Sequence, residues 1–240
     1  MTRHARARGA ALALLLMSAP ALAAPVGGPD TPKAADRQAW QAAVSQRFGP
    51  DARLSWDGLR AVPTAITRIE VQTLGAGPAA RALHFCAAHR DLLGLAPGVE
   101  LALAETKTFR DGATVRLDVR LGGLDVEGVR VAVSLDHDGD VRSVRLDPAP
   151  RALAAATTDV GRDGARAAVT ARFGVTAVGN PTRVALWRGV GPARPAWRVP
   201  TALVPWVAHF YVWVDAETGA VVGQAPVSND QPLRRLEVAR

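Results

Sequence analysis

The sequence holds a single cysteine, Cys86, in 240 residues. An internal disulfide framework and a cysteine-rich zinc module are thereby excluded. Lysine is almost as scarce: of 29 basic residues only Lys33 and Lys107 are lysines. The arginines are scattered singly among acids and apolar residues, a pattern that gives no nucleic-acid face. The formal charge of +7 is also less than it looks. Setting aside Arg3, Arg6 and Arg8 leaves 26 basic and 22 acidic groups, a balance of +4. Outside the extreme N-terminus no apolar run reaches the 18 or so residues of a spanning helix, so a polytopic membrane protein is excluded. Catalytic signatures are missing as well. There is no His-Glu-x-x-His, which a zinc peptidase needs to aim two imidazoles at one metal. None of Ser45, Ser55, Ser134, Ser143 and Ser228 lies in Gly-x-Ser-x-Gly. Gly122-Gly123 is followed by neither a helix nor a lysine, so no phosphate loop is present. What remains is ordinary globular composition, 48% hydrophobic and 21% charged, with apolar material enough for a core.

The first segment reads as an export signal. Arg3, Arg6 and Arg8 precede the apolar stretch Ala10–Met17 and the small-residue ending Ala21-Leu22-Ala23. This three-part pattern predicts cleavage between Ala23 and Ala24, secretion or periplasmic delivery, and no stable membrane insertion after signal removal. In an oxidising compartment Cys86 then lacks an intramolecular partner, and a buried thiol is expected.

The body alternates helix and sheet twice. Residues 24–34 form a leader rich in proline and glycine. Asp36 is placed to cap a helix with Trp40, Val44 and Phe48 on one face, stopped by Gly49-Pro50. Ile66–Val71 reads as a strand. A second helix opens at Pro78, carries Ala82, Phe85, Cys86, His89 and Leu93 on one face, and closes at Gly94. Val115, Leu117, Val119 and Leu121 then alternate with Arg116, Asp118 and Arg120, which predicts one buried and one wet face. Val129–Asp136 repeats the alternation, and Asp138-Gly139 turns into Val141–Leu146. Residues 147–156 break the periodicity and predict a linker. Beyond it Asp163 is placed to cap a helix with Ala165, Ala168, Val169 and Phe173 inward, ended by Gly174. Strands follow at Thr182–Trp187, Ala196–Val199 and Trp206–Asp215, and a last hairpin enters Ala220–Gly223. The apolar faces of Trp206–Val214 predict contact with the first unit. Residues 227–240 read as a polar tail. The expected class is α+β: two tandem units, each an antiparallel β-sheet covered on one face by a helix.

Several of these segments resemble a known family. His89-Arg90-Asp91-Leu92-Leu93-Gly94-Leu95, Thr114–Leu121, Gly123-Leu124-Asp125-Val126-Glu127-Gly128-Val129-Arg130-Val131 and Asp136-His137-Asp138-Gly139 are similar, in order and spacing, to the fungalysin/thermolysin propeptide domain. Asp125 stands where that family often has proline. The second half, ending in Val214-Asp215-Ala216-Glu217-Thr218-Gly219-Ala220-Val221, resembles the PepSY domain that follows in such pro-regions. The resemblance covers about residues 35–225 and implies a propeptide-like unit over 35–146 and a PepSY-like unit over 157–226. In that family the pro-region helps an attached zinc peptidase fold and blocks it until cleavage. No peptidase domain follows in this sequence.

Individual residues offer little chemistry. His84 and His89 stand five apart, about 140° out of phase on a helix, too far round to share a tetrahedral ion. Cys86 sits near both histidines but on the apolar stripe, whereas a nucleophilic thiol needs an exposed electropositive setting. Asp136, Asp138 and Asp140 invite a calcium reading. A calcium loop requires glycine at its sixth position and glutamate at its twelfth, and counting from Asp136 neither is there. A strand–turn–strand explains the segment. Trp187, Trp197, Trp206 and Trp213 gather in the second unit, where alternation puts most of them at core positions.

The resemblance therefore implies an exported module without catalytic residues, metal or cofactor, whose partner is a secreted zinc metallopeptidase. It would inhibit that enzyme or assist its folding. The wet face and turns of the first sheet, around Arg116, Asp118, Arg120, Asp136, Asp138 and Asp140, are the expected contact. Two other readings stand beside it: the pro-region of a truncated metallopeptidase precursor, and a periplasmic module that binds peptide or lipid. The sequence sets neither the target enzyme nor the oligomeric state.

Overall fold

The computed structural model describes residues 34–57, 63–174, 179–189, 191–204 and 208–227. The expected signal peptide, with its Ala23–Ala24 cleavage site, lies outside them, as do nearly all of the leader, the tail beyond Val227, and Trp206. The elements in chain order are α1 (Ala34–Phe48), β1 (Arg53–Trp56), β2 (Pro63–Val71) and α2 (Pro78–Ala88), then β3 (Val99–Phe109), β4 (Gly112–Leu121), β5 (Leu124–Asp136) and β6 (Val141–Leu146). After the expected linker come α3 (Gly161–Phe173), β7 (Thr182–Leu186), β8 (Arg194–Val204), β9 (Ala208–Asp215) and β10 (Val221–Pro226). The class is α+β, as the alternation predicted.

The first unit is an antiparallel sheet in the order β1-β2-β6-β5-β4-β3, with α1 and α2 on one face. The periodicity of β4 is realised directly: Val115, Leu117, Val119 and Leu121 are buried, and the residues between them are not. Phe85, Cys86 and Ala82 of α2 press onto that face and are fully buried. α1 is held at its edge by Gln41, whose amide donates to the Ala52 carbonyl and accepts from the Leu54 N–H, each at 3.0 Å. The side chain thereby satisfies two backbone groups beside β1 that no further strand pairs. Trp40 Nε1 donates to the Leu92 carbonyl at 3.1 Å and fixes α1 against the turn that follows α2.

The second unit is the antiparallel sheet β7-β8-β9-β10 with α3 on one face. Ala165 and Val169 of α3 meet Trp197, Val199, Val212 and Val214 in a separate core. The two sheets are continuous. The C-terminal half of β5 pairs with β6, and Val126 in its N-terminal half pairs in parallel with Ala185 of β7. Between the two stretches Gly128 adopts φ +73°, a left-handed step that a β-carbon disfavours.

Several expectations need correction. The first helix begins at Ala34, the residue where the leader was expected to end, so Asp36 lies inside its first turn rather than capping it. Asp163 is likewise within α3; the Gly161 amide is instead bonded by Asp159 Oδ1 at 2.9 Å. α2 ends at Ala88, and a separate turn over residues 89–94 carries His89 and Leu93 to the same buried side. β7, not the apolar β9, is the strand that pairs with the first unit; β9 lies between β8 and β10. The expected linker is stitched down: the Ala154 N–H donates to the Ala193 carbonyl and the Ala193 N–H to the Ala152 carbonyl, around a Leu153–Ala193 bridge. Two strands were not anticipated, β1 and β3.

Candidate functional site

β4 aims Arg116, Asp118 and Arg120 at the face of the sheet that α1 and α2 leave uncovered. Each is matched by the residue opposite it in register. Arg116 Nη1 lies 3.0 Å from Glu105 Oε2 of β3, and Lys107 joins the same carboxylate at 3.4 Å. Asp118 Oδ1 lies 3.2 Å from Arg130 Nε of β5, and Arg120 Nε lies 2.6 Å from Asp125 Oδ1. Cross-strand neighbours stand close enough for such pairs without bending the backbone. The result is a ladder of four cations and three anions across three strands. The bond to Asp125 raises the Arg120 guanidinium further into its charged form.

The hairpin lies at the far end of the same face, four residues along β4 from Arg116, about 13 Å at strand rise. Its backbone is a tight three-residue connection. The Gly139 N–H donates to the Asp136 carbonyl at 3.1 Å, Gly139 adopts φ +82°, and the Asp136 N–H donates to the Asp140 carbonyl at 3.0 Å. A type I turn followed by a left-handed residue closes a hairpin in this way. The three aspartates take different parts. Asp136 Oδ1 accepts the amides of Asp138 and Asp140, and its Oδ2 accepts from Arg142, which also pairs with Glu70 at 2.7 Å. Desolvation would raise the Asp136 carboxyl, but these hydrogen bonds hold it below the ordinary range. Asp138 turns outward, beside His137 at 3.1 Å. Asp140 serves through its backbone.

The structure thus brings all six expected contact residues to one sheet face and its end. Their partners Glu105, Arg130 and Arg142 were not singled out, and Asp125 only for standing where the resembled family often has proline, because cross-strand register is invisible in sequence. Among the described residues Asp136, His137 and Asp138 present ligand atoms within 4.8 Å of one another. Both Asp136 oxygens already accept hydrogen bonds, so an ion there would compete with Arg142 at Oδ2 or with the two amides at Oδ1. The arrangement serves as a rigid turn.

Elsewhere the single-residue readings resolve. Cys86 is fully buried, and desolvation pushes its thiol up to about 12, so it remains protonated and unreactive at neutral pH. Of the tryptophans, Trp197 is in the second core and Trp187 packs against the first. Trp213 lies on the opposite face of β9 from Val212 and Val214.

What the ladder does chemically is limited and specific. Alternating charges in a nearly neutral array generate little long-range field, yet fix the register of any surface docked on them. No helix among the described residues is long and apolar enough to cross a membrane. In comparison with known proteins, no family model matches the chain and no curated protein matches it. Among solved structures the chain is similar to the Bacillus megaterium YpeB C-terminal domain, at 9% identity and a TM-score of 0.33, over 84% of this chain and 100% of that one.

Proposed function

We propose that this chain is an exported, non-catalytic, propeptide-like module that binds a thermolysin- or fungalysin-type zinc peptidase and slows it or assists its folding. The observation that carries the reading is the order of the motifs, each of which falls on its own piece of the sheet frame. Thr114–Leu121 is in β4, Gly123–Val131 leads into and opens β5, Asp136–Gly139 makes its hairpin, and Val214–Val221 spans the turn from β9 to β10. The uncovered charge ladder supports a binding role, since it is ordered, exposed and free of catalytic groups. Docking would bury a standard surface, about 800 Å² on each partner. Acting in trans forgoes the effective concentration, of order millimolar, that a covalent link supplies, so a micromolar inhibition constant agrees with the proposal.

The test is to titrate residues 24–240 into the co-secreted metallopeptidase, and separately into that enzyme refolding from denaturant. Slower hydrolysis or a higher refolding yield is expected. No change in activity, binding or yield at large molar excess would overturn the reading.

A further inference from the structure

A cleft of about 430 Å³ opens on the helical side of the first unit, away from the charge ladder. Its walls are the end of α1, the face of α2 and the segment that leaves β2. The floor is aromatic: Phe48 and Phe85 stack with ring centroids 5.8 Å apart. One buried polar group around it lacks a partner. Thr73 Oγ1 is buried without a hydrogen bond. His89 is 6% exposed and its ring is wedged between Phe48 and Phe85, with centroids 4.9 Å and 4.7 Å away. Arg47 and His84 stand at the rim, and Arg47 forms no ion pair among the described residues. The acid in the lining, Glu70, is already bound to Arg142.

Buried polar groups are almost always hydrogen-bonded, so the unpartnered Thr73 hydroxyl, beside the aromatic floor and the His89 imidazole, marks a place shaped for something else. The volume falls in the range of small-molecule sites, which are mostly apolar with a few placed polar groups. The groups that can donate into the cleft are a guanidinium, a hydroxyl and the N–H of an imidazole that burial keeps neutral. Their complement is an oxyanion, and the complement of the floor is a ring or branched side chain.

We propose that this cleft binds a carboxylate carried on an apolar group, its carboxyl oxygens meeting Arg47, Thr73 and His89 and its apolar part lying on Phe48 and Phe85. A free aromatic acid and the C-terminal residue of a peptide share this chemistry. The site is separate from the ladder, and its test involves no peptidase.

The experiment is titration of the purified protein, followed by NMR, with three probes: 3-phenylpropionate, N-acetyl-Ala-Phe with a free carboxylate, and the same peptide as its C-terminal amide. Saturable shifts of the His89 and Phe85 ring signals are expected with at least one acid, and binding at least tenfold weaker with the amide. Saturation by the peptide alone assigns the cleft to chain termini, and saturation by phenylpropionate alone assigns it to free acids. Arg47→Gln, at an exposed position whose loss leaves the core intact, should weaken binding at least fivefold. Arg172→Gln on α3 should leave it unchanged. Equal binding of acid and amide, silent His89 signals, or full affinity in Arg47→Gln would overturn the proposal.

Discussion

The guanidinium of Arg81 stands where a side chain at Gly139 would project, and it donates a hydrogen bond to the carbonyl of Asp138. One residue of α2 thereby latches the hairpin of β5 and β6 from the side. Gly139 is required twice over, by its left-handed φ and by the space Arg81 fills. Gly139→Ala should cost about 2 kcal/mol, roughly half from the backbone and the rest from dislodging the latch. In an Arg81→Ala background the same change should cost less. Urea denaturation of the four proteins in this cycle checks it, and strict additivity would mean that the latch contributes nothing.

The joint between the units carries its own ion pair. Arg198 of β8 lies 3.2 Å from Glu127 of β5, and its guanidinium also covers the Tyr211 ring at 4.9 Å. Both side chains are largely buried, so removing one strands the other. Glu127→Gln and Arg198→Gln should each destabilise, with a coupling of about 1 kcal/mol in the double variant. Independent effects in a thermal-melting cycle would contradict this.

Cys86 predicts behaviour at high pH. Its folded pKa, pushed up to about 12 by burial, exceeds that of an unfolded thiol. The stability it protects is complete below about pH 8.5 and is lost as pH rises toward the folded value. Cys86→Ala should flatten that alkaline decline. The native protein should also resist iodoacetamide at pH 8 while the urea-unfolded chain reacts within minutes; prompt labelling of the native form would disprove burial.

Acid acts in two windows. Burial first, then Arg47 and His84, holds the His89 imidazole below its ordinary range, with Asp91 pulling the other way. Its contribution is present above about pH 6.5 and falls as the buried ring is forced to protonate. Asp215 follows below about pH 4. Burial would raise its carboxyl, but the Thr218 amide and hydroxyl and the Glu217 amide hold it down. Chemical denaturation as a function of pH should show two steps, the first removed in His89→Gln and the second reduced in Asp215→Asn, with Asp136 supplying the rest.

The ladder separates stability from binding. Its pairs are about half exposed, so single alanine substitutions at Arg116, Asp118 or Arg120 should change stability by less than about 1 kcal/mol. If the face docks a peptidase, reversing Arg120 to Glu should weaken that complex while the melting temperature barely moves. An unchanged inhibition constant would move the contact surface elsewhere.

How far the sequence reached can be seen in β3 and β4. β4 was legible because its period of two is unbroken, with a buried aliphatic at every second place. β3 places aliphatics at Val99, Leu101 and Leu103, but only Val99 is buried and Leu103 is half-exposed, the register shifts between Leu103 and Glu105, and Thr106-Lys107-Thr108 run in solvent. A shifted, half-exposed edge strand carries no alternation to read. The two capping errors share one cause: an aspartate near a helix start serves equally well inside the first turn, where it faces the positive end of the dipole. At the candidate site the six expected contact residues were legible as the wet face and its turn. Their pairing was not, because register depends on how three strands align.

The shared strand β5 has a consequence for dissection. The first core draws Ala185 and Ala193 from beyond the expected linker, and Leu153 packs beside them. A fragment that stops at Ala156 would leave the Val126 edge open and that corner of its core unfilled. A fragment that starts there would lose the strand on which β7 rests. Neither half can be lifted out with its edges closed, so any partner that loosens β5 from β7 disturbs both sheets at once, and the hinge between them is a single parallel pairing.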